Sequence, residues 1–306
     1  MSHFLQSKPW GKFQQSLGRK VVTGSGDGWS YQAYLETGTG NRRLYCPYPV
    51  FDNDTKLEEL LVSLRSEANK LNCTFLRFEF GVKPSLDFLK THTFRKVTYQ
   101  QLQPAHTQII QLSPSKEDIL AQMSQNSRNI TRNYHKKDIV IHTSHNADDI
   151  SILTTLLGSV AKRNHIATHL PTYYKKQVEA LFPSKAATLY YATLNNTPIA
   201  AALVVDSDTT RYYTHAAADD RYRKLSAGTA LVGQMILDAK DKGLREFDLY
   251  GIAPSNSPAH PWAGFTKFKQ SFGGSSVTFQ GAWDLPLKSF EYWIYRLYQS
   301  ISRRLR

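Results

Sequence analysis

The residues best suited to do chemistry lie in FTKFKQSFGG, residues 265–274, where two lysines sit among three phenylalanines ahead of a double glycine. A cation held in a poorly solvated pocket stabilises an oxyanion far better than one in water. Lys267 and Lys269 are two residues apart, so on a helix they point in different directions. With Lys269 facing inward among Phe265, Phe268 and Phe272, its ammonium would be a fixed charge of that kind. The alternative is that both lysines snorkel over an aromatic core.

Two basic clusters invite an anion. SQNSRNITRNYHKK (124–137) carries Arg128, Arg132, Lys136 and Lys137 and no acid. Arg128 and Arg132 are one helical turn apart and project together, a geometry suited to gripping phosphate oxygens. ADDRYRKLSAGTAL (218–231) places Arg221, Arg223 and Lys224 just before a helix expected to start near Ser226. The free N–H groups of a helix start are themselves anion ligands. The competing reading of both clusters is a solvated surface.

Metal and nucleotide motifs are missing. His165 and His169 have the i, i+4 spacing of HExxH, but Ile166 stands where the catalytic glutamate would be. The chain has no GxSxG elbow, no GxxxxGK[ST] loop and no GxGxxG after a strand. No metal is expected.

The elements that must position these residues read as mixed α/β. WSYQAYLE, RRLYCPY and CTFLRFEF read as strands. Between the last two, Thr55 and Glu58 have capping-box spacing, and Leu57, Leu60, Leu61, Leu64, Ala68 and Leu71 recur at helical spacing. A short helix is expected around SLDFLKTH, leading into KVTYQQLQ. A proline-bearing crossing point near LQPAHTQIIQLSPSKED precedes a second α/β series. There, helices are expected over 115–123, 126–136, 147–163, 172–181 and 225–242. Strands are expected at DIVIHT, ATLYYATL, PIAAALVVD and TRYYTHAA. The order strand, helix, strand, glycine occurs in both halves, from Tyr45 to Phe80 and from Tyr213 to Tyr250, which suggests a duplication.

The totals set the bounds. A chain of 306 residues is long enough for two compact units, and 41% hydrophobic content is ample for a core. The 38 Lys and Arg against 25 Asp and Glu, a charge of +13, favour an anionic partner. Two cysteines, Cys46 and Cys73, form no framework, which points to a reducing cytosol. MSHFLQSKPWGKFQ has no apolar signal core and no apolar run reaches membrane length, so a soluble cytoplasmic protein is expected. The tail LPLKSFEYWIYRLYQSISRRLR puts aromatic and aliphatic residues on one helical face. It reads either as a packing helix or as a peripheral contact with an anionic membrane.

Several segments together resemble the Fem family (FemABX-type) of peptidyltransferases. FLQSKPWGKFQ is similar to its N-terminal signature, YCPYPVFD to a strand-to-loop segment, and KRNHIATHLPTYYKK to a segment ahead of the second sheet. RYYTHAAADDRYRKLSAGTALVGQMILDAKDKGLREFDLYGI, followed by FKQSFGG and GAWD, carries the strongest likeness.

The resemblance implies two GNAT-like acyltransferase domains related by duplication, an α/β (α+β) fold. The first would span 1–106 plus 283–306 and the second 107–282, with the C-terminal helix returning to the first domain. No heptad insertion for a coiled-coil arm is visible. It further implies a catalytic pair, Phe268 and Lys269, and precursor contacts at Thr168, Tyr174, His215, Glu79 and Lys12. Leu170 stands where members using a nucleotide-linked precursor can have a phosphate-binding arginine, and His215 where they can have a tyrosine. Both departures leave a lipid-linked precursor open.

The implied activity is transfer of an amino acid from aminoacyl-tRNA to a stem-peptide amine of a peptidoglycan precursor, lipid II or UDP-MurNAc-pentapeptide. Aminoacyl-tRNA is then a co-substrate and no cofactor is needed. Arg128, Arg132, Arg221, Arg223 and Lys224 would serve phosphates of the tRNA or the precursor. Two other classes fit the residues: a GNAT enzyme using acyl-CoA, and a non-catalytic RNA-binding protein.

Overall fold

The structure, a computed structural model, describes residues 2–38, 41–98, 102–164, 167–254 and 260–304. The chain divides into two compact units, Met1–Ala105 with Thr278–Arg306, and His106–Val277.

The first unit opens with α1 (Lys8–Ser16), capped by the Ser7 side chain and started by Pro9. The amide of Gln32 donates to the carbonyls of Leu5 and Ser7, so the FLQS segment is tied to the sheet. The strands are β1 (Val21–Gly26), β2 (Trp29–Gly38), β3 (Asn41–Pro47) and β4 (Val50–Phe51). Helix α2 (Asp54–Lys70) follows, then β5 (Phe75–Phe80), α3 (Leu86–Thr91) and β6 (Arg95–Lys96). The cap of α2 is Asn53, whose side chain accepts from the Lys56 N–H, rather than the expected Thr55. A cap must sit outside the helix with extended backbone, and Asn53 meets that condition at φ −151°. The segment expected to follow as KVTYQQLQ forms only the short β6, and residues 99–101 lie outside the described residues.

The first sheet runs β1-β2-β3-β5-β14-β6, where β14 is Gly281–Pro286, with β4 alongside β2. Among the described pairings only β3 and β5 are parallel, because α2 carries the chain back between them. Strand β5 is buried on both faces and shows the two-residue alternation this requires. Leu76, Phe78 and Phe80 join Leu57, Leu60, Leu61 and Leu64 of α2 in one core. Phe75 packs instead with Tyr292 and Tyr295 of the C-terminal helix. Arg77, on the Phe75 face, is fully buried and holds Asp284 of β14 through two bonds of 2.7 and 2.8 Å. Tyr292 donates to the same carboxylate at 3.0 Å. The helix of the tail therefore returns to the first unit, as expected.

The second unit comprises β7 (His106–Gln111), α4 (Lys116–Gln122), α5 (Gln125–Asn133), β8 (Ile139–Ser144), α6 (Ile150–Asn164) and α7 (Pro171–Leu181). These are followed by β9 (Ala187–Leu194), β10 (Thr197–Asp206), β11 (Thr210–Ala218), α8 (Ala227–Asp241), β12 (Glu246–Gly251), α9 (Ala263–Gln270) and β13 (Ser275–Thr278). After β14, helix α10 (Ser289–Arg304) closes the chain. The second sheet runs β13-β7-β12-β11-β10-β9-β8. Leu231, Val232, Met235, Ile236 and Ala239 of α8 fill its core against Ala200, Ala202 and Val204 of β10.

The strand-helix-strand echo read in the sequence is β3-α2-β5 in one unit and β11-α8-β12 in the other, each the sole parallel crossover among its unit's described pairings. The two crossovers differ in one respect. Pairing of β3 with β5 runs through Pro47 and Glu79, and the Tyr48 N–H extends it to the Glu79 carbonyl. Pairing of β11 with β12 ends at Tyr212 and Asp248, although β11 continues to Ala218 and β12 to Gly251. The second unit therefore has a break between parallel strands where backbone groups are released from the ladder.

Candidate active site

The break sits where Lys269 arrives. Asp248 is the last residue of β12 paired with β11, and its Oδ1 accepts from the Tyr250 N–H at 2.7 Å and from the Thr107 hydroxyl. Those bonds help hold Tyr250 at φ +64°, a left-handed conformation that an aromatic residue adopts only under local constraint. The strand bulges there before pairing again with β7 at Gly251, opposite Thr107, and the Gly251 carbonyl accepts from Lys269 Nζ at 2.6 Å.

Helix α9 is fixed at both ends to bring the lysine there. Near its start, Thr266 Oγ1 accepts from the Ala253 N–H at 2.8 Å. Just beyond its end, Ser271 Oγ accepts from Ser127 Oγ at 2.8 Å, and the Ser271 carbonyl accepts from the Ser124 N–H at 2.8 Å. The double glycine explains itself next. Both residues have positive φ, +85° and +75°, and a Cβ on Gly274 would lie 2.2 Å from the carbonyl oxygen of Ile109. Only glycine lets the chain leave α9 and meet β7 at this distance.

Of the three phenylalanines, Phe272 is fully buried and Phe268 packs partly buried against the core, their rings perpendicular at 5.2 Å. Phe265 is 60% exposed, so it does not enclose the lysine as the sequence suggested. Phe265 lies on the open side of α9, whereas Phe272 follows the helix end at Gln270 and enters the core. Lys267 is exposed, and Lys269 is half-buried. Burial pushes the Lys269 ammonium down to about 8, and the charge of Asp248 opposes that fall. Burial likewise pushes Asp248 up to about 6, against the bonds from Thr107 and Tyr250. A half-desolvated cation beside a backbone carbonyl and a buried carboxyl can neutralise a developing negative charge.

Tyr174 and His215 come together. Tyr174 is buried on α7, His215 lies on β11 beyond the end of its pairing with β12, and their rings meet edge to face at 5.1 Å. Burial, with a contribution from the nearby His169, lowers His215 to about 4, so it is neutral at physiological pH. His169 stacks on Tyr173 at 3.9 Å. Its expected partner in a histidine pair, His165, lies outside the described residues. Thr168 and Leu170 are exposed just before α7. One turn beyond Tyr174, Gln177 is fully buried with no partner for either amide atom among the described residues.

Glu79 and Lys12 belong to the first unit. Glu79 is buried at the end of β5; one oxygen accepts from the Leu102 N–H at 3.0 Å and the other has no hydrogen-bond partner among the described residues. Burial raises its carboxyl to about 7. Lys12 is exposed on α1.

The basic residues divide by their engagements. Arg128 is half-buried and donates to the Ala121 carbonyl at 3.2 Å, whereas Arg132, Lys136 and Lys137 are exposed. Helix α5 lies close against α8, since a Cβ on Gly233 would meet Thr131 Oγ1 at 2.1 Å. Arg221 is held by Asp219 at 2.6 Å, leaving Arg223 and Lys224 as the open cations of that cluster. Ser226, at φ +56°, gives α8 no side-chain cap, so the first N–H groups of α8 lack a side-chain acceptor. Among the described residues no three His, Cys, Asp or Glu side chains group as metal ligands, and no helix is long and apolar enough to cross a membrane.

Asp248 and Gly251 were not named as site residues from the sequence, and Tyr250 only as the end of the second strand-helix-strand echo. Asp248 stands in REFDLYG, where an acid next to apolar strand residues is the available sign of a buried carboxyl.

Comparison with known proteins bears out the resemblance read from the sequence. Residues 194–300, which include β11, α8, β12 and α9, match the FemAB family. The fold is similar to the crystal structure of FemX, with a TM-score of 0.87 at 15% identity over 97% of this chain and 95% of that one. It also resembles the C-terminal domain of a putative lysylphosphatidylglycerol synthetase from Agrobacterium fabrum, at TM-score 0.60 and 10% identity over 94% and 90% of the two chains. A tandem GNAT protein from the clavulanic acid biosynthesis pathway matches at 0.52 and 15% identity over 87% and 82%. The two units are accordingly GNAT-like domains in tandem. No curated protein matches this chain by sequence.

Proposed function

We propose that the chain is a FemAB-type protein that transfers an amino acid from aminoacyl-tRNA to the stem-peptide amine of a peptidoglycan precursor. The observation that carries the reading is the 2.6 Å bond from Lys269 to the Gly251 carbonyl, at the break between β11 and β12. It fixes one half-desolvated cation beside backbone groups released from the β11–β12 ladder. In this reading an activated ester lies in the break with its carbonyl oxygen toward Lys269.

The neutral amine of the stem peptide attacks the ester carbonyl carbon. A C–N bond forms and the carbonyl electrons move to oxygen, where Lys269 stabilises the oxyanion. The intermediate collapses by breaking the C–O bond to the tRNA ribose, and the ribose oxygen takes the proton lost by nitrogen. Holding amine and ester together supplies much of the acceleration. Phe268, packed against the core beside Lys269, serves as a positioning residue for it.

Arg132, Arg223 and Lys224 serve the tRNA phosphates, with Arg128 and Arg221 reinforcing their segments through Ala121 and Asp219. Tyr174, His215 and Thr168 of the second unit contact the precursor. A neutral His215 and the apolar Leu170 favour a lipid-linked precursor over one held through nucleotide phosphates. Use of aminoacyl-tRNA places the reaction on the cytoplasmic side of the membrane.

The test is to incubate the purified protein with a set of charged tRNAs and each precursor form, then weigh the products. A precursor heavier by one or more aminoacyl residues supports the reading. Transfer from acyl-CoA without RNA would replace it with an acyl-CoA acyltransferase. Tight tRNA binding with the ester left intact would replace it with an RNA-binding protein.

A further inference from the structure

Helix α10 has two faces with different tasks. One buries Tyr292 and Tyr295 over Phe75 and the Arg77–Asp284 pair. The other exposes Phe290, Trp293, Ile294, Leu297, Tyr298 and Ile301, from 45% to 73% of each side chain's surface. Their spacing, i, i+3, i+4, i+7, i+8 and i+11, makes one continuous stripe along three turns. The catalytic reading makes no use of this stripe, and a fold gains nothing by leaving six large apolar residues in water.

The charge of this segment in the sequence identifies what covers it. From residue 288 to the end, the sequence holds Lys288, Arg296, Arg303, Arg304 and Arg306 against the single acid Glu291. Glu291 is already engaged by Lys288 at 3.3 Å and by the Thr74 hydroxyl at 3.1 Å. Tyr298 also lines a cavity of about 640 Å³ that includes Arg19, Glu36, Asn41, Arg43 and Gln299. An apolar helix face in a segment whose sequence carries five cations against one acid, bordered by a polar recess, matches the layering of a lipid monolayer, acyl chains beneath anionic headgroups. Trp and Tyr on such a face sit at the headgroup boundary.

We infer that α10 is an in-plane membrane anchor, by which the first unit binds the surface of an anionic bilayer with Phe290, Trp293, Ile294, Leu297, Tyr298 and Ile301 inserted among the lipids. The inference stands independently of the transfer reaction, since it requires neither tRNA nor precursor.

Flotation of the full-length protein with vesicles tests it. Vesicles of phosphatidylglycerol and phosphatidylethanolamine should carry the protein upward, and pure phosphatidylcholine vesicles should carry at least tenfold less. Raising the salt concentration should release part of the bound protein. The triple variant Trp293→Ser, Leu297→Ser, Ile301→Ser alters only exposed side chains, so it should keep the wild-type melting temperature while losing at least tenfold in partitioning. Should the wild type stay with the soluble fraction, or should the triple variant float as well as the wild type, the inference falls. It falls equally if the wild type forms lipid-free dimers that the triple variant abolishes, since the stripe would then be an interface between copies.

Discussion

Lys269 Nζ donates to the carbonyl oxygen of Gly251 at 2.6 Å, just past the point where β12 parts from β11. The bond both orients the ammonium and leaves it two further N–H donors. Its acidity, about 8, makes a prediction for the pH profile. Attack needs a neutral amine, so the rate of transfer should first rise with pH. It should then fall as Lys269 loses its proton around pH 8. Lys269→Arg keeps a cation at every accessible pH, so any residual activity should lack the descending limb. Single-turnover transfer measured between pH 6 and 10 checks this.

Asp248 opposes the loss of that proton. With Asp248→Asn the charge disappears while an oxygen remains for Thr107 and the Tyr250 N–H. The descending limb should therefore move to lower pH than in the wild type. A variant whose limb stays in place would mean that Asp248 only shapes the turn.

Glu79 offers a test in stability. Its carboxyl is raised from 4.5 to about 7, so the folded state binds the proton more tightly than the unfolded chain. The stabilisation from this group is complete below pH 4.5 and is lost as pH rises through about 7. Glu79→Gln leaves an acceptor for the Leu102 N–H and removes the charge. Its melting temperature should exceed that of the wild type by a few degrees at pH 8 and match it near pH 4. Thermal unfolding followed by circular dichroism at the two values reads the difference.

The buried Arg77–Asp284 pair should show the opposite behaviour. Removing one partner, as in Asp284→Ala, strands a guanidinium that has no exposure, at a cost of about 3–5 kcal/mol. Replacing both with apolar residues of similar volume should recover most of the loss. Denaturant unfolding of the single and double variants measures both.

Gly274→Ala should destabilise the second unit by about 2 kcal/mol or more, because the new methyl meets the Ile109 carbonyl and φ is positive. It should also lower transfer activity, since β7 and the end of α9 share that contact. Limited proteolysis alongside activity would show the two effects together.

The periodic elements were legible in the sequence for a physical reason. Helices α2 and α8 bury one stripe each, so Leu57, Leu60, Leu61 and Leu64, and Leu231, Val232, Met235 and Ile236, announce themselves by spacing. The strand-helix-strand echo was equally readable, since each crossover repeats one hydrophobic pattern. Local competitions were not readable. Asn53 rather than Thr55 caps α2 because the backbone, not the residue type, decides where a helix begins. Lys269 was visible as a cation among aromatics, but its carbonyl partner was not, because Gly251 acts through its backbone. Phe265 shows the converse limit, an aromatic in a motif that faces water. The two faces of α10 were foreshadowed by its composition, yet only packing against Phe75 shows which face is left open.

The central claim is that the Lys269 ammonium stabilises the oxyanion of aminolysis, and one measurement addresses it most directly. Single-turnover transfer from charged tRNA to the precursor should be compared between the wild type and Lys269→Met, with folding and tRNA affinity checked in parallel. The account predicts a rate lower by about 100-fold or more, with both controls unchanged. A Lys269→Met protein that transfers at close to the wild-type rate would contradict it.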